Sequence, residues 1–540
     1  MSRVYVLGIH GTFGRADHDA AAVLVHDDRI VAAAEEERFV RYKHAVGLMP
    51  DHAIRFVLRE AGISMHEVDV IAFPRATWRD FAPRFEAYLW YQFGHVPPVE
   101  YVDHHLAHAA SAYLVSGFDK SLVVTADQAG DGICAAVFRG NAGTLTPVET
   151  VAFPDSIGLF AAAITQYLGY RSQHDEYKVM GLAAHGVPYR QQPLLSIDAG
   201  RPHLNTSLLH REVFHRHPLF HTDQLPIIAE DTLPGFPPRR LPAGALHREH
   251  ANVAATAQAA IETAVRKLAE RHRQPDDTHL CVAGGVMENS VAVGKLLTHG
   301  GFADVYTAPA CGDAGTALGA ALVVAAAHGH RPPRLEDTRL GPAYSDDAIE
   351  TVLRECGIPY RRTDDPAASA AQLLAGGQIV AWFSGRMEFG PRALGARSLL
   401  ADPSSAAMRE RVNRIKRREE FRPFGPSVLA EHLPELFGRS DIRAPFMSFT
   451  LPTADGDSIV AATHVDGTSR PQSVPPGPGV YRRLIEQFHQ LTGVPAVLNT
   501  SLNSGWEPIV ADPAHALAFF GSCPADALVI GSHIITKDRH

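Results

Sequence analysis

Residues Val4 to Phe39, "VYVLGIHGTFGRADHDAAAVLVHDDRIVAAAEEERF", carry the pattern that decides the fold. Val4 to Ile9 is a near-continuous apolar run, as expected of a central strand buried on both faces. A polar loop, a second apolar run, an "HDDR" turn suited to a hairpin and a third run follow. The stretch therefore predicts strand, loop, strand, turn, strand. Further on, "SLVVTADQAGDGICAAVFRG" (Ser121 to Gly140) repeats the layout, with Asp127 and Asp131 in the expected loop between two strands. Two copies of one unit predict an internally duplicated domain whose acidic loops face each other across a cleft.

Such a strand-loop-strand opening resembles the nucleotide-binding core shared by actin, sugar kinases and heat-shock ATPases. "HLCVAGGVMENSVAVGKLL" (His279 to Leu297) reads as strand, Gly-Gly turn, helix, and "YTAPACGDAGTALGAALVV" (Tyr306 to Val324) as strand, Gly-Asp loop, helix. In both, glycines sit where a strand gives way to a helix, which lets backbone amides approach a phosphate. Near 330 to 365 the periodicity fades into Pro, Asp and Arg, so we expect an α/β domain over 1–345 and a second, Arg-rich α/β domain over 346–540.

A chain of 540 residues is too long for one core, in keeping with two large domains. With 46% hydrophobic and 20% charged residues it reads as a soluble globular protein, and a net charge of -9 argues against a general nucleic-acid binder. The five cysteines are scattered without a C-x-x-C pair, which implies neither a disulfide framework nor a zinc knuckle. The opening "MSRVYVLGIHG" has no signal-peptide pattern, and the apolar run Ala314 to Ala327 is too short to span a bilayer. A cytoplasmic protein with no membrane or nucleic-acid partner is expected, with a homodimer possible.

In "YVDHHLAHAASAY" (Tyr101 to Tyr113), His104 and His108 fall four apart in a helix-forming run and so share one face. The ordinary reading of such a pair is packing. Asp127 ("TADQAGDG") and Asp313 ("PACGDAG"), each expected in a loop just after a strand, shift the balance toward a metal. Two His with two Asp suit Fe, Mn or Zn better than Ca or Mg. The histidines His210, His215, His217 and His221, in the Pro-, His- and Arg-rich segment 186–250, fit no tetrahedral spacing and read as an acceptor-shaping loop.

The C-terminal part holds "SGRMEFGPRALGARSLLADP", "NRIKRREEFRPFGPSVL", "THVDGTSRPQ" and "NTSLNSGWEPI". Arg386, Arg392, Arg397, Lys416, Arg422 and Arg470 are expected to converge on a polyanion, because guanidinium groups pair bidentately with phosphate. The competing reading is a salt-bridged surface. Embedding of these cations among Gly, Pro and aromatic residues favours the basin.

Together with "HDAAAVLVHDDRIVAAAEEERFVRYKH", "DHHLAHAASAY", "EYKVMGLAAHG" and "AGGVMENS", these motifs, in this order, resemble the ATP-dependent O-carbamoyltransferases of nodulation-factor, cephalosporin and tobramycin type. The resemblance implies an actin-like, duplicated N-terminal domain of the threonylcarbamoyladenosine-forming type and a C-terminal domain similar to threonylcarbamoyl-AMP synthases. It implies that carbamoyl phosphate and ATP, with Mg2+, give carbamoyl adenylate, and that the carbamoyl group then passes to a hydroxyl of a small natural product. By the same match His104, His108, Asp127 and Asp313 hold a divalent metal, Fe2+ first and Mn or Zn otherwise. Lys416, Arg422 and Arg470 contact carbamoyl phosphate and ATP phosphates, and His18 is the candidate base. Lys178, Gly284, Gly285, Asn289, Arg386, Arg392 and Asn499 fall in motifs expected to bind nucleotide. The chain departs from the family pattern at Ser504, Gly505 and Trp506, where Trp506 is expected to stack on a base or reshape the pocket mouth. A tRNA threonylcarbamoyl-type modification enzyme, a nucleotide-switched regulator on an actin-like core and a sugar kinase are the rival readings.

Overall fold

The computed structural model describes residues 3–14, 18–75, 80–215 and 225–537. The chain divides into a first unit, Met1–Glu36 with His44–Leu335, and a second, Glu37–Lys43 with Glu336–His540.

The first unit is built on two five-stranded sheets of one plan. In the first sheet β1 (Tyr5–His10), β2 (Ala21–His26) and β3 (Arg29–Glu35) form an antiparallel meander. β4 (Val70–Phe73) and β5 (Val99–Tyr101) then add in parallel beside β1, giving the order β3-β2-β1-β4-β5. The second sheet repeats this with β6 (Lys120–Gly130), β7 (Ile133–Asn141) and β8 (Thr144–Ala152) as the meander. A small hairpin of β9 (Leu195–Asp198) and β10 (Arg201–Leu204) intervenes before β11 (His279–Ala283) and β12 (Asp304–Thr307) complete the second sheet in parallel. This is the duplicated, actin-like arrangement expected from Val4–Phe39 and Ser121–Gly140.

Asp127 lies inside β6, where pairing with β7 slips between Ala126 and Gly130, and not in a loop beyond the strand. The irregularity interrupts the pairing around Asp127 without ending the strand.

The helix Ala314–Ala327 is apolar on every side because it is buried on nearly every side. It packs on β1 and on the helix His104–Tyr113 at distances only glycine permits. A Cβ on Gly8 would stand 2.0 Å from the Ala317 carbonyl oxygen, and one on Gly319 would stand 1.7 Å from that of Ala107. This close packing fixes where the first turns of the two helices, and so Asp313 and His104, come to rest.

The second unit is a mixed eight-stranded sheet whose central strands are Val380–Phe383, Arg397–Ala401, Ala496–Ser501 and Gly425–Leu429. Alternate residues feed opposite faces, the period of a pleated strand. Val380, Trp382 and Leu400 join the core beneath the helices Pro366–Ala375 and Val480–Thr492. Ala381, Phe383, Leu399 and Ala401 join that beneath Asp346–Glu355, Ala406–Lys416 and Pro513–Ser522.

Glu37–Lys43 belongs to this unit although the sequence places it in the first domain. Arg38, 2% exposed, donates to the Gly390 carbonyl at 2.8 Å, and Arg41 donates to the carbonyls of Pro508 at 2.7 Å and Ile509 at 2.6 Å. Among the described residues no helix is long and apolar enough to cross a membrane.

Candidate active sites

In the first unit, Asp103 caps the helix His104–Tyr113 by accepting from the Leu106 N–H, and Asp131 accepts from the His104 N–H at 3.1 Å. His104 and His108 then lie one turn apart on one face, their ring centroids separated by 4.6 Å. β6 supplies Asp127, and the residue before the helix Ala314–Ala327 supplies Asp313. One ligand atom from each of the four lies within 4.8 Å of the others. His108 Nε2 is 3.0 Å from Asp127 Oδ2 and 3.4 Å from Asp313 Oδ1, and His104 Nε2 is 3.7 Å from Asp313 Oδ1.

Both imidazoles are wholly buried, yet no ring nitrogen of either is in hydrogen-bond geometry with a described group. Burial of unsatisfied polar atoms costs stability. Two imidazoles and two carboxylates converging on one point form the donor set of a borderline divalent cation, so the residues fit such an ion. The electrostatics agree. Burial, with His108 and His105 beside it, holds His104 well below the usual histidine range. His108, against its burial, is pushed up to about 9 by Asp127 and Asp313.

The surroundings hold this arrangement in place. The Gly285 N–H donates to Asp127 Oδ2 at 3.1 Å, and a Cβ on Gly284 would stand 2.2 Å from the Ala126 carbonyl oxygen. These glycines orient a candidate ligand, where the sequence suggested a phosphate cradle. Asn289, expected to bind nucleotide, caps the helix Ser290–His299 through Ala292 N–H and exchanges two amide hydrogen bonds with Gln258. His105, between the two ligand candidates, is a packing residue bonded to Thr125 Oγ1 and the Ile133 carbonyl.

His18 Nδ1 lies 2.8 Å from Asp19 Oδ2, and His44 Nδ1 lies 2.8 Å from Asp19 Oδ1. Burial disfavours charge on His18, but Asp19, with smaller help from Asp313 and Asp127, pushes it up to about 10. His10, which sequence reasoning missed, sits beside both groups. Its Nε2 is 3.1 Å from the His18 carbonyl and 3.7 Å from Asp313 Oδ2, and its Nδ1 is 3.0 Å from Thr316 Oγ1. The signal was a lone histidine at the end of an apolar central strand. Lys178 pairs with Asp175 at 3.1 Å, with Tyr170 5.5 Å below its ammonium. Of the histidines in 186–250, His217 and His221 lie outside the described residues, and of His215 only the backbone, in a short 3-10 turn, is described.

In the second unit the expected basin resolves into unlike parts. Lys416, 3% exposed, is ringed by the Ser501 carbonyl at 2.6 Å, Ser501 Oγ at 3.1 Å, and the Asn503 carbonyl and Oδ1 at 2.5 and 2.6 Å. Burial and the nearby Arg418, Arg422 and Lys43 push the amine down, while four oxygens around one nitrogen call for N–H donors. Arg422 and Glu419 approach to 3.7 Å, and Arg386 donates to the carbonyls of Gly341 and Leu340. Arg392 and Arg470 are partly buried in the same unit. Arg397 is not part of a solvent-facing basin. It is wholly buried, lies 3.6 Å over the Phe383 ring and donates to the carbonyls of Ser384, Gly385, Ala396 and Pro342. Asn499, 2% exposed, donates to the Ala393 carbonyl and Ser427 Oγ. Trp506 is 60% exposed, with the Arg417 guanidinium 5.5 Å from its ring.

The model of the carbamoyltransferase N-terminus matches residues 5–92 and 87–322, and that of the carbamoyltransferase C-terminus matches 371–537. The chain belongs to the carbamoyltransferase family. This carbamoyltransferase is 37% identical to the nodulation protein NolNO of Sinorhizobium fredii, over 96% of this chain and 79% of that protein. It is 34% identical to the uncharacterized protein sll1178 of Synechocystis, over 99% and 97% of the two chains. A 3'-hydroxymethylcephem-O-carbamoyltransferase of Streptomyces clavuligerus is 36% identical over 43% of this carbamoyltransferase and 44% of that enzyme.

Proposed function

We propose that this carbamoyltransferase makes carbamoyl adenylate from carbamoyl phosphate and ATP in its second unit and transfers the carbamoyl group to a hydroxyl of a small natural product at the His and Asp cluster of its first. The reading rests chiefly on the convergence of His104, His108, Asp127 and Asp313 beside His18. The name of the S. clavuligerus relative, 3'-hydroxymethylcephem-O-carbamoyltransferase, supports a hydroxyl acceptor.

A carbamoyl carbon is a poor electrophile while its leaving group is hydroxide, and an adenylate solves that problem. Carbamoyl phosphate, water and ATP give carbamoyl adenylate, phosphate and pyrophosphate. Lys416, Arg422 and Arg470 stabilise the charge that develops on the phosphoryl oxygens. Lys416 exchanges some of its Ser501 and Asn503 contacts for the ligand as it does so. In the first unit His18 takes the alcohol proton as the oxygen attacks the carbamoyl carbon, and AMP leaves. His104, His108, Asp127 and Asp313 would hold a divalent cation, which when bound would supply Lewis acidity and offset the smaller part of the His18 shift that comes from Asp313 and Asp127.

The test is a mass-resolved assay with ATP, Mg2+ and carbamoyl phosphate but no acceptor, beside Lys416→Met and Lys416→Ala proteins checked for folding. Carbamoyl adenylate and pyrophosphate that vanish in both variants support the reading. ADP without pyrophosphate would overturn it in favour of a kinase or nucleotide switch.

A further inference from the structure

We infer that Asp19 and His44 are positioning residues for His18. The Asp19 carboxylate, itself held by His44, accepts from the His18 Nδ1–H and so leaves Nε2 as the nitrogen that can carry a lone pair toward an acceptor. The inference rests on the reading of His18 as the base, but its geometry stands apart from that reading.

Three observations carry it. The two carboxylate oxygens of Asp19 are divided, Oδ2 to His18 Nδ1 and Oδ1 to His44 Nδ1, each at 2.8 Å. A carboxylate only accepts, so each Nδ1 must bear the proton, and neutral His18 is then confined to one tautomer. Next, His44 holds Asp19 a second time, because the Asp19 N–H donates to the His44 carbonyl at 2.6 Å. Both residues occupy the left-handed region, at φ 63° for Asp19 and 65° for His44, which is uncommon outside glycine although Asp and His enter it more readily than most. Here the two are joined through one side-chain and one backbone bond. Finally, the ends of the assembly are fixed. The His18 carbonyl lies 3.1 Å from His10 Nε2, and His174 meets the His44 ring edge-on at 4.8 Å. His174 Nδ1 is engaged elsewhere, 3.1 Å from the Ser172 carbonyl, and burial, with His44 beside it, pushes His174 down to about 4.

The same three side chains could instead grip a cation, but two Nδ1 atoms at hydrogen-bond distance from separate carboxylate oxygens are placed as N–H donors are placed.

The experiment is proton NMR of 15N-histidine-labelled protein loaded with one equivalent of Zn2+, with His18 and His44 assigned from His18→Asn and His44→Asn. A carboxylate-bonded Nδ1–H gives a downfield resonance slow to exchange with water, whether the imidazole is neutral or charged. We expect one such resonance from each of His18 and His44. In Asp19→Asn at most one survives, because an amide presents a single oxygen. Asp19→Gly, which tolerates the left-handed φ, loses both. An Nε2-only proton on His18, or an unchanged spectrum in Asp19→Asn, would overturn the inference. Loss of both resonances on a second equivalent of Zn2+ would replace it with a metal site. If the resonances behave as expected while His18→Asn still transfers the carbamoyl group, the base reading falls and the tether stands.

Discussion

Replacing Gly130 with alanine tests whether the candidate metal centre is as tightly built as its geometry implies. A Cβ there would stand 1.9 Å from His104 Cδ2, 2.2 Å from Cγ and 2.4 Å from Nε2. Ordinary carbon contacts begin near 3.5 Å, so the ring must retreat by about 1.6 Å. Gly130 closes the extended strand β6, so the cost is steric and not conformational. The ring is wholly buried, and overpacking of this kind costs roughly 1–3 kcal/mol. Metal–ligand distances tolerate only about 0.2 Å, so the same movement removes one ligand of four and should weaken metal binding by about 100-fold, roughly 2.7 kcal/mol. The assay is a double-mutant cycle of Gly130→Ala and His104→Ala, with urea unfolding of chelator-treated protein and metal titration of each. The stability cost of Gly130→Ala should vanish in the His104→Ala background, because the clashing ring is gone, while metal binding stays weak in both. Retained metal affinity in Gly130→Ala, or a cost that persists without His104, would refute the reasoning.

Other outcomes follow from residues outside that cluster. Burial pushes Glu176 up to about 7 despite the Gln173 N–H at 2.6 Å. The folded protein therefore holds a proton that the unfolded chain releases, and this stabilisation is full below pH 4.5 and lost as the pH rises toward 7. Urea titrations across that range should show a fall of about 1–3 kcal/mol that Glu176→Gln removes. Asn289→Ala should cost about 1–2 kcal/mol through the lost helix cap while leaving pyrophosphate release unchanged, which separates its capping role from nucleotide binding. Arg38→Met leaves the buried Gly390 carbonyl without its guanidinium donor and should destabilise the second unit by about 2–3 kcal/mol, read by amide exchange around that glycine.

The duplicated sheets were legible because alternation and apolar runs record which strand faces are buried, and both meanders open with such a run. The four candidate metal ligands were legible from residue type and local context, His104 and His108 from helical spacing and the two aspartates from their Gly-rich surroundings. Cations were read less well. Arg397 and Arg386 look alike in "SGRMEFGPRALGARS", but Arg397 opens a central strand of the sheet, which takes its guanidinium into the core, while Arg386 lies in the preceding loop. A sequence does not record which carbonyls will gather around a guanidinium. The capping role of Asn289 was not legible for a related reason, since a helix cap and a ligand contact ask for the same side chain at the same turn. His10 and the His44 tether rest on contacts between residues far apart in sequence, Thr316 for one and Asp19 for the other, which no local pattern encodes.

The loan of Glu37–Lys43 to the second unit bears on how such a chain can be taken apart. A gene cut at the border near residue 335 would yield a downstream polypeptide lacking Arg38 and Arg41, so the backbone oxygens of Gly390, Pro508 and Ile509 would lose the guanidinium donors they have in the intact chain. The halves are not interchangeable cassettes. A functional swap between family members, or co-expression of separate fragments, has to carry this short peptide along with the piece it serves, and a synthetic peptide spanning Glu35 to His44 should rescue the solubility of the downstream fragment when supplied in trans.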